Sequence, residues 1–105
     1  MSPEDRRLLV LFASRVRRID PSVGVWAFGS RARGSAAPES DLDLCVVVRR
    51  ASRALKESIH SIAWEIGFEH GIVLAPVILS EDDFERGPMS ASTLVATIRR
   101  EGVAA

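Results

Sequence analysis

Three short apolar segments, divided by helical and loop sequence, most constrain how this 105-residue chain can fold. Their β-branched and apolar residues predict buried strands at residues 23–28, 41–48 and 72–79. Apolar residues at helical spacing predict helices at 3–19 and 52–68, and a last short helix that contains Leu94, Val95 and Ile98 and ends at Gly102. A capping box at Ser80 predicts a short acidic helix at 81–86. Strands interleaved with helices predict an α/β (α+β) fold, in which helices pack on a small mixed β-sheet.

Capping and breaking residues set the expected ends of these elements. The spacing of a helix capping box occurs twice, at Ser2 with Asp5 and at Ser80 with Asp83. The dipeptide Gly87-Pro88 is expected to end the short helix that follows Ser80. Pro76 lies inside the third strand, and proline cannot donate to a sheet ladder. We therefore expect this strand to lie at an edge of the sheet or to be bulged.

The charge balance and the single cysteine limit the classes of protein to which the chain can belong. The formal net charge is zero, although residues 1–53 carry ten basic and six acidic side chains, and residues 54–105 carry four basic and eight acidic. This balance gives no general attraction to DNA, and no apolar run is long enough to span a membrane. Cys45 has no partner for an internal disulfide, which fits a reducing compartment. We expect a single domain at 1–105, in the cytoplasm, without a secretory signal.

The loop between the first two strands, residues 29–40, is long for so small a domain. It begins with Gly29-Ser30, where a strand that runs into a helical turn presents backbone N–H groups and a hydroxyl suited to phosphate. It is followed by Asp41 and Asp43, which point to the same face of a strand and suit a divalent cation such as Mg²⁺ or Mn²⁺. Taken separately, each feature has a more common explanation. Gly-Ser after a strand is usually an ordinary turn, and two aspartates at the start of a strand are usually solvated.

The combination of the two features is far more specific. The strings FGSRARG at 28–34 and SDLDL at 40–44 resemble the signature of the polymerase-β-type nucleotidyltransferase superfamily, and in particular its minimal nucleotidyltransferase branch. The strong motif covers residues 25–48, and the order of elements extends the resemblance over nearly the whole chain. Members of this branch are often encoded beside a helical HEPN partner and act as its antitoxin. The resemblance therefore implies the nucleotidyltransferase fold and an antitoxin-like protein.

The resemblance also implies a role for each residue of the motif. The glycine and serine at 29–30 would bind the β- and γ-phosphates of a nucleoside triphosphate, expected to be ATP. Asp41 and Asp43 would be the catalytic carboxylates and would hold two Mg²⁺ (or Mn²⁺) ions. One of Arg31 and Arg33 would contact a phosphate, and a solvated surface position is the alternative for either of them.

The third strand departs from the pattern of this superfamily. Active members usually carry a third carboxylate on a later strand, and the expected position at 74–76 holds Leu-Ala-Pro. An acid from the preceding helix, Glu57, Glu65 or Glu69, or an acid from a partner protein would have to replace it. Without a third acid the catalytic metal is held weakly and the attacking hydroxyl lacks a positioned base, whose loss typically costs roughly 10²–10⁴ in rate.

Two hypotheses for the function follow, and they belong to different classes. The first is an enzyme that transfers NMP, most simply AMP, from a nucleoside triphosphate to a hydroxyl of a protein such as a HEPN toxin. The second is a catalytically weak or inactive binding module of the same fold, which neutralises such a partner by docking. Transfer to a small molecule such as an aminoglycoside is less favoured, because the single expected domain leaves no second domain to build the acceptor pocket.

The remaining histidines and tryptophans have simpler explanations. His60 and His70 have no metal-ligand partner at useful spacing, so we expect them to be structural or at the surface. Trp26 and Trp64 are expected to pack in the core. Apolar residues on the first helix or around 73–78 offer a surface for a homo-oligomer or for a partner protein.

Overall fold

The computed structural model describes residues 1–87 and 92–105. In chain order the elements are α1 Pro3–Ile19, β1 Gly24–Phe28, α2 Gly29–Arg33, β2 Leu42–Val48, α3 Arg53–His70, β3 Leu74–Ser80, α4 Glu81–Glu85, α5 Thr93–Glu101 and β4 Val103–Ala104. The predicted strands and helices occur in the predicted order, and the structure adds β4 at the end of the chain. Pro88 of the predicted helix break lies outside the described residues. Over the described part of the chain, no helix has the length and apolar character needed to cross a membrane.

The strands form one mixed sheet in the order β3-β2-β1-β4. β1 pairs antiparallel with β2 and with β4, whereas β2 and β3 run parallel and are joined by α3. β3 lies at an edge of the sheet, as Pro76 predicts. The sequence does not predict β4, because two residues carry no readable strand period.

Each face of the sheet is covered by its own pair of helices. α1 and α3 cover the first face, and their core includes Leu9, Phe12, Leu44, Val46, Ile59 and Ile66. α4 and α5 cover the second face, and their core contains Cys45, Val47, Leu79, Val95 and Ile98. Burying each large aliphatic side chain contributes about 1.5–3 kcal/mol. Because side chains alternate along β2, Asp43 lies on the second face together with Cys45 and Val47.

Serine side chains begin four of the helices. The caps are Ser2 of α1, Ser52 of α3, Ser80 of α4 and Ser92 of α5. Of the two hydrogen bonds of a capping box, the one accepted by the serine hydroxyl is confirmed at both predicted positions. The N–H of Asp5 donates to Ser2 Oγ over 3.0 Å, and the N–H of Asp83 donates to Ser80 Oγ over 3.1 Å. A serine cap is typically worth about 1 kcal/mol.

Trp64 contradicts the core assignment made from the sequence. Its side chain is 67% exposed and stacks on Phe68, which is 76% exposed. The buried stripe of α3 instead contains Ile59, Ile62 and Ile66. The tryptophan lies beside that stripe, and single-sequence periodicity does not separate a stripe from its border.

Candidate functional site

The turn after β1 brings Gly29 against the carboxylate of Asp43. β1 and β2 pair so that Phe28 lies opposite Asp43, and Gly29 follows Phe28 at the start of α2. Gly29 has φ +77°, a left-handed conformation that favours glycine. A Cβ at this position would also collide with the Asp43 carboxylate. The two ends of the long loop are therefore in direct contact, and only glycine permits that contact.

Ser30 lies in the first turn of α2 and is half-buried. Its hydroxyl has no hydrogen-bond partner among the described residues. The first N–H groups of any helix also lack partners within the helix. The site thus has a free hydroxyl and free backbone donors close to Asp43, and these groups suit a ligand that carries acceptor oxygens.

Asp41 and Asp43 place two carboxylates on one face of the chain at the start of β2. Asp41 is exposed and Asp43 is half-buried. Burial raises the pKa of Asp43 above its ordinary value of 3.8, the charge of Asp41 raises it further, and Arg33 lowers it. The two carboxylates therefore repel each other, and a cation held by both would relieve this repulsion.

The guanidinium of Arg31 is engaged by other parts of the protein. Its Nε donates to the carbonyl of Ser40 over 2.7 Å, and its Nη2 donates to the carbonyl of Pro38 over 2.7 Å. Its Nη1 donates to the carboxylate of Asp5 over 2.9 Å, and the side chains of this ion pair are only 13% and 7% exposed. Arg31 thus links α1 to the loop directly before the two aspartates. All three nitrogens of its guanidinium donate hydrogen bonds within the protein, so its role is structural.

Arg33 is the second arginine of the predicted pair, and it is far less constrained. Its Nη1 lies 3.2 Å from Oε2 of Glu101, and the two side chains are 47% and 26% exposed. Glu101 ends α5 and is separated from Arg33 by 68 residues, so the sequence offered no signal for this contact. Of the two arginines expected to include a phosphate ligand, Arg33 is the one with an accessible guanidinium.

Replacing Arg31 with alanine is expected to destabilise the protein by about 2–4 kcal/mol. The change leaves the Asp5 carboxylate buried without its cation and removes the hydrogen bonds to residues 38 and 40. Urea unfolding measures the loss. The matched control is Arg33→Ala, which removes an exposed arginine from the same helix and should cost less than about 1 kcal/mol. Equal losses in the two variants would contradict a structural role for Arg31.

Among residues 1–87 and 92–105, the structure places no third acid in a metal-binding group with the two aspartates. In the parallel register of β2 and β3, Asp43 is opposite Ala75, and Leu42 is opposite the buried Leu74. The half-buried Ala75 therefore occupies the position at which a third carboxylate is expected. Within residues 1–87 and 92–105, no group of three or more histidine, cysteine, aspartate or glutamate side chains is placed to hold a metal ion.

The glutamates of α3 do not complete the acidic set. Glu57 pairs with Arg53 on the same helix, and Glu65 pairs with Arg15 of α1. α3 packs on the first face of the sheet, whereas the two aspartates lie on the second face. Glu69 joins no such group of metal-binding side chains in the described part of the chain. Among the described residues, a glutamate of this helix therefore does not replace the missing acid, and an acid from a partner protein stays the other alternative.

The other side chains with reactive or aromatic groups have structural places. Cys45 is fully buried, and burial raises the pKa of its thiol to about 12, so it is not a nucleophile. His60 and His70 are exposed, as predicted. Trp26 is half-buried against the second core and stacks on Phe84, with 5.6 Å between the ring centroids.

Several solved structures share this fold. A candidate nucleotidyltransferase from Sulfolobus solfataricus has 21% sequence identity and a TM-score of 0.54, over 95% of this chain and 80% of that chain. A toxin–antitoxin complex with AMP-PNP has 16% identity and a TM-score of 0.55, over 89% and 68% of the two chains. A mutant of the MntA–HpeT toxin–antitoxin has 14% identity and a TM-score of 0.54, over 88% and 68%. No curated protein matches the chain.

At these identities the solved structures establish the fold alone. The family described as the nucleotidyltransferase domain matches residues 9–102, which is most of the chain. The matched segment contains the Gly29 turn and both aspartates. The chain therefore belongs to the nucleotidyltransferase domain family.

Proposed function

We propose that the chain binds a nucleoside triphosphate, most simply ATP, together with a divalent cation, and transfers AMP to a hydroxyl of a protein partner such as a HEPN toxin. The observation that carries this proposal is the contact between Gly29 and the carboxylate of Asp43. It joins hydrogen-bond donors suited to phosphate with a carboxylate pair suited to a cation. These are the two kinds of group that a metal–triphosphate complex needs.

The phosphate side of the site combines unpaired hydrogen-bond donors with one exposed arginine, Arg33. The Ser30 hydroxyl and the N–H groups at the start of α2 would bind phosphate oxygens. The Gly29 turn permits close approach because it has no side chain. Arg33 would exchange its exposed contact with Glu101 for a phosphate. Arg31 acts indirectly, because it holds the loop that leads to Asp41.

The carboxylate side of the site fits one divalent cation such as Mg²⁺ or Mn²⁺. Asp41 and Asp43 supply hard oxygen ligands. Burial and, to a smaller extent, the charge of Asp41 raise the pKa of Asp43, and a bound cation would stabilise its ionised form. When bound, the cation neutralises charge on the triphosphate and on the departing pyrophosphate. The two aspartates would hold it, and the half-buried position of Asp43 limits how far that carboxylate can turn away.

The choice of a protein acceptor rests on the neighbours with the same fold. One is a toxin–antitoxin complex with AMP-PNP, an ATP analogue. Another is a toxin–antitoxin mutant with two Asp-to-Glu changes spaced two residues apart, the spacing of Asp41 and Asp43. We extend this partnership to the present chain, acting as a single domain. The buried, unpaired Cys45 fits a reducing cytoplasm as the place of action.

A second candidate function is nucleotide binding without turnover, in a protein that neutralises its partner by docking. The position of Ala75 opposite Asp43 favours it, because a neutral methyl group neither binds a metal nor accepts a proton. The two candidates share the same nucleotide site. They differ only in whether the acceptor hydroxyl is activated.

Calorimetry and a labelled-transfer assay separate these candidates. ATP should bind more tightly with Mg²⁺ than without it. In the transfer reaction the acceptor oxygen bonds to the α-phosphorus, the bond to pyrophosphate breaks, and the hydroxyl proton leaves to solvent. Label on the α-phosphate of ATP should therefore appear on the partner, and label on the γ-phosphate should not. Metal-dependent binding without transfer supports the second candidate, and absence of metal-dependent binding contradicts both.

A further inference from the structure

The large exposed apolar side chains of the described residues all lie on the layer formed by α1 and α3. They are Val10, Leu11 and Ile19 on α1, Trp64 and Phe68 on α3, and Val73 directly before β3. In the described part of the chain, α4 and α5 on the opposite layer expose no such side chain. Apolar surface concentrated on one layer is typical of a protein–protein contact.

The layer carries two separate patches. The α1 patch surrounds a cleft of about 650 Å³ and includes Arg6, Arg7, Val10, Leu11 and Ser14. The α3 patch surrounds a cleft of about 670 Å³ and includes Trp64, Phe68, Val73, Glu39 and His60. The rings of Trp64 and Phe68 stack with 5.2 Å between their centroids, so the α3 patch presents one broad aromatic surface.

The two patches carry charges of opposite sign. Arg6 and Arg7 are the charged residues that line the α1 patch, whereas Glu39 is the charged residue that lines the α3 patch. Within the described residues no salt bridge is formed by Arg6 of the α1 patch, by Glu39 of the α3 patch or by Glu69, which lies next to Phe68 on α3. An arginine of α1 already pairs with a glutamate of α3 within one chain, because Arg15 forms a salt bridge with Glu65.

We propose that this layer is the contact surface of a homodimer, in which the α1 patch of each copy covers the α3 patch of the other. A two-fold axis along the helices places α1 over α3 twice and closes the assembly. Both apolar patches of each copy are then buried, and the basic α1 patch faces the acidic α3 patch. Arg6 of one copy pairs with Glu69 of the other in this arrangement.

Other occupants of this surface fit its charges less well. A dimer that places α1 on α1 sets arginine against arginine, and one that places α3 on α3 sets glutamate against glutamate. A different protein would need one acidic and one basic patch, each with apolar residues, separated by the distance between α1 and α3. A second copy of this chain already has two such patches. The dimer also leaves the site around Asp43 open, because that residue lies on the other face of the sheet.

Sedimentation equilibrium of the purified full chain, without nucleotide or other protein, tests the proposal. The wild type should dimerise reversibly. Trp64→Glu should raise the dimer dissociation constant by more than about tenfold, because each dimer loses two aromatic anchors. The matched control is Ala96→Glu, at an exposed helical position on α5, which should leave self-association unchanged. Both positions are exposed, so circular dichroism should show the wild-type fold in each variant.

A charge exchange tests the paired geometry directly. Arg6→Glu and Glu69→Arg should each weaken self-association, because like charges then face each other twice in every dimer. An equal mixture of the two variants should dimerise again, because both contacts become arginine against glutamate. The proposal is overturned by a wild type that stays monomeric at all concentrations, or by a Trp64→Glu variant that dimerises normally. It is also overturned if the wild type associates through this layer only with a different protein.

Discussion

Replacing Asp43 with asparagine should raise the stability of the metal-free protein at neutral pH and remove the gain in nucleotide affinity that Mg²⁺ provides. The carboxylate is half-buried, faces the charge of Asp41 and touches Gly29, so its ionised form is disfavoured in the fold. Asparagine keeps the shape and removes the charge. We expect a gain of roughly 0.5–1 kcal/mol in the free energy of unfolding, small because the side chain is partly hydrated.

The pH dependence of this difference has a definite sign. The pKa of Asp43 is raised in the folded state, so the wild type gains stability from its protonated form at pH values below about the ordinary value of 3.8. That contribution is lost as the pH rises through the raised pKa. The difference between wild type and Asp43→Asn should therefore be smallest in acid and should grow towards neutral pH.

Thermal unfolding with and without Mg²⁺–ATP measures both effects. A ligand at ten times its dissociation constant stabilises the folded state by about 1.4 kcal/mol. Mg²⁺–ATP should therefore raise the free energy of unfolding of the wild type by this amount and should not do so for Asp43→Asn. Asp41→Asn is the matched control, because it removes an exposed carboxylate from the same pair. It should also abolish the Mg²⁺ effect, with little direct effect on stability. Equal ATP affinity with and without Mg²⁺ in the wild type would contradict the metal site.

The elements that position the site could be predicted because their signals are local. The serine caps at Ser2 and Ser80 and the apolar spacing of α1 and α3 act within a few residues of chain. The contact between Gly29 and Asp43 is less local, but the resemblance to nucleotidyltransferases anticipated that the two motifs meet. The structure adds the reason for the glycine, which is the positive φ combined with the approach of a carboxylate.

The contacts that could not be predicted join residues far apart in the chain. Arg31 and Arg33 stand two residues apart in the same motif, yet one is tied to Asp5 and the other meets Glu101. Their different accessibility depends on how α1 and α5 pack around α2, and no pattern within the motif encodes that packing. Trp64 shows the same limit, because whether it is buried depends on what covers the outer surface of α3.

Replacing Ala75 with aspartate should raise the rate of AMP transfer by at least about tenfold. Ala75 pairs in register with Asp43 on the neighbouring parallel strand, so a carboxylate there would lie beside the existing pair. It would supply a third oxygen ligand for the cation and a base near the acceptor hydroxyl. Three close carboxylates repel one another, so the variant should be less stable than the wild type without Mg²⁺ and should recover part of the loss with it.

The matched control for this gain is Ala75→Asn, which has the same size and polarity without the charge. It should destabilise the protein to a similar or smaller degree and should not raise transfer, because an amide neither accepts the proton nor balances the cation's charge. Transfer by Ala75→Asp should also vanish when Asp41→Asn is added, since the new acid works only with the old pair. Rapid transfer by the unchanged chain, abolished by Asp41→Asn, would show that two carboxylates suffice. The candidate function of binding without turnover would then be wrong. Catalysis would proceed although Ala75 stands at the position of the third carboxylate.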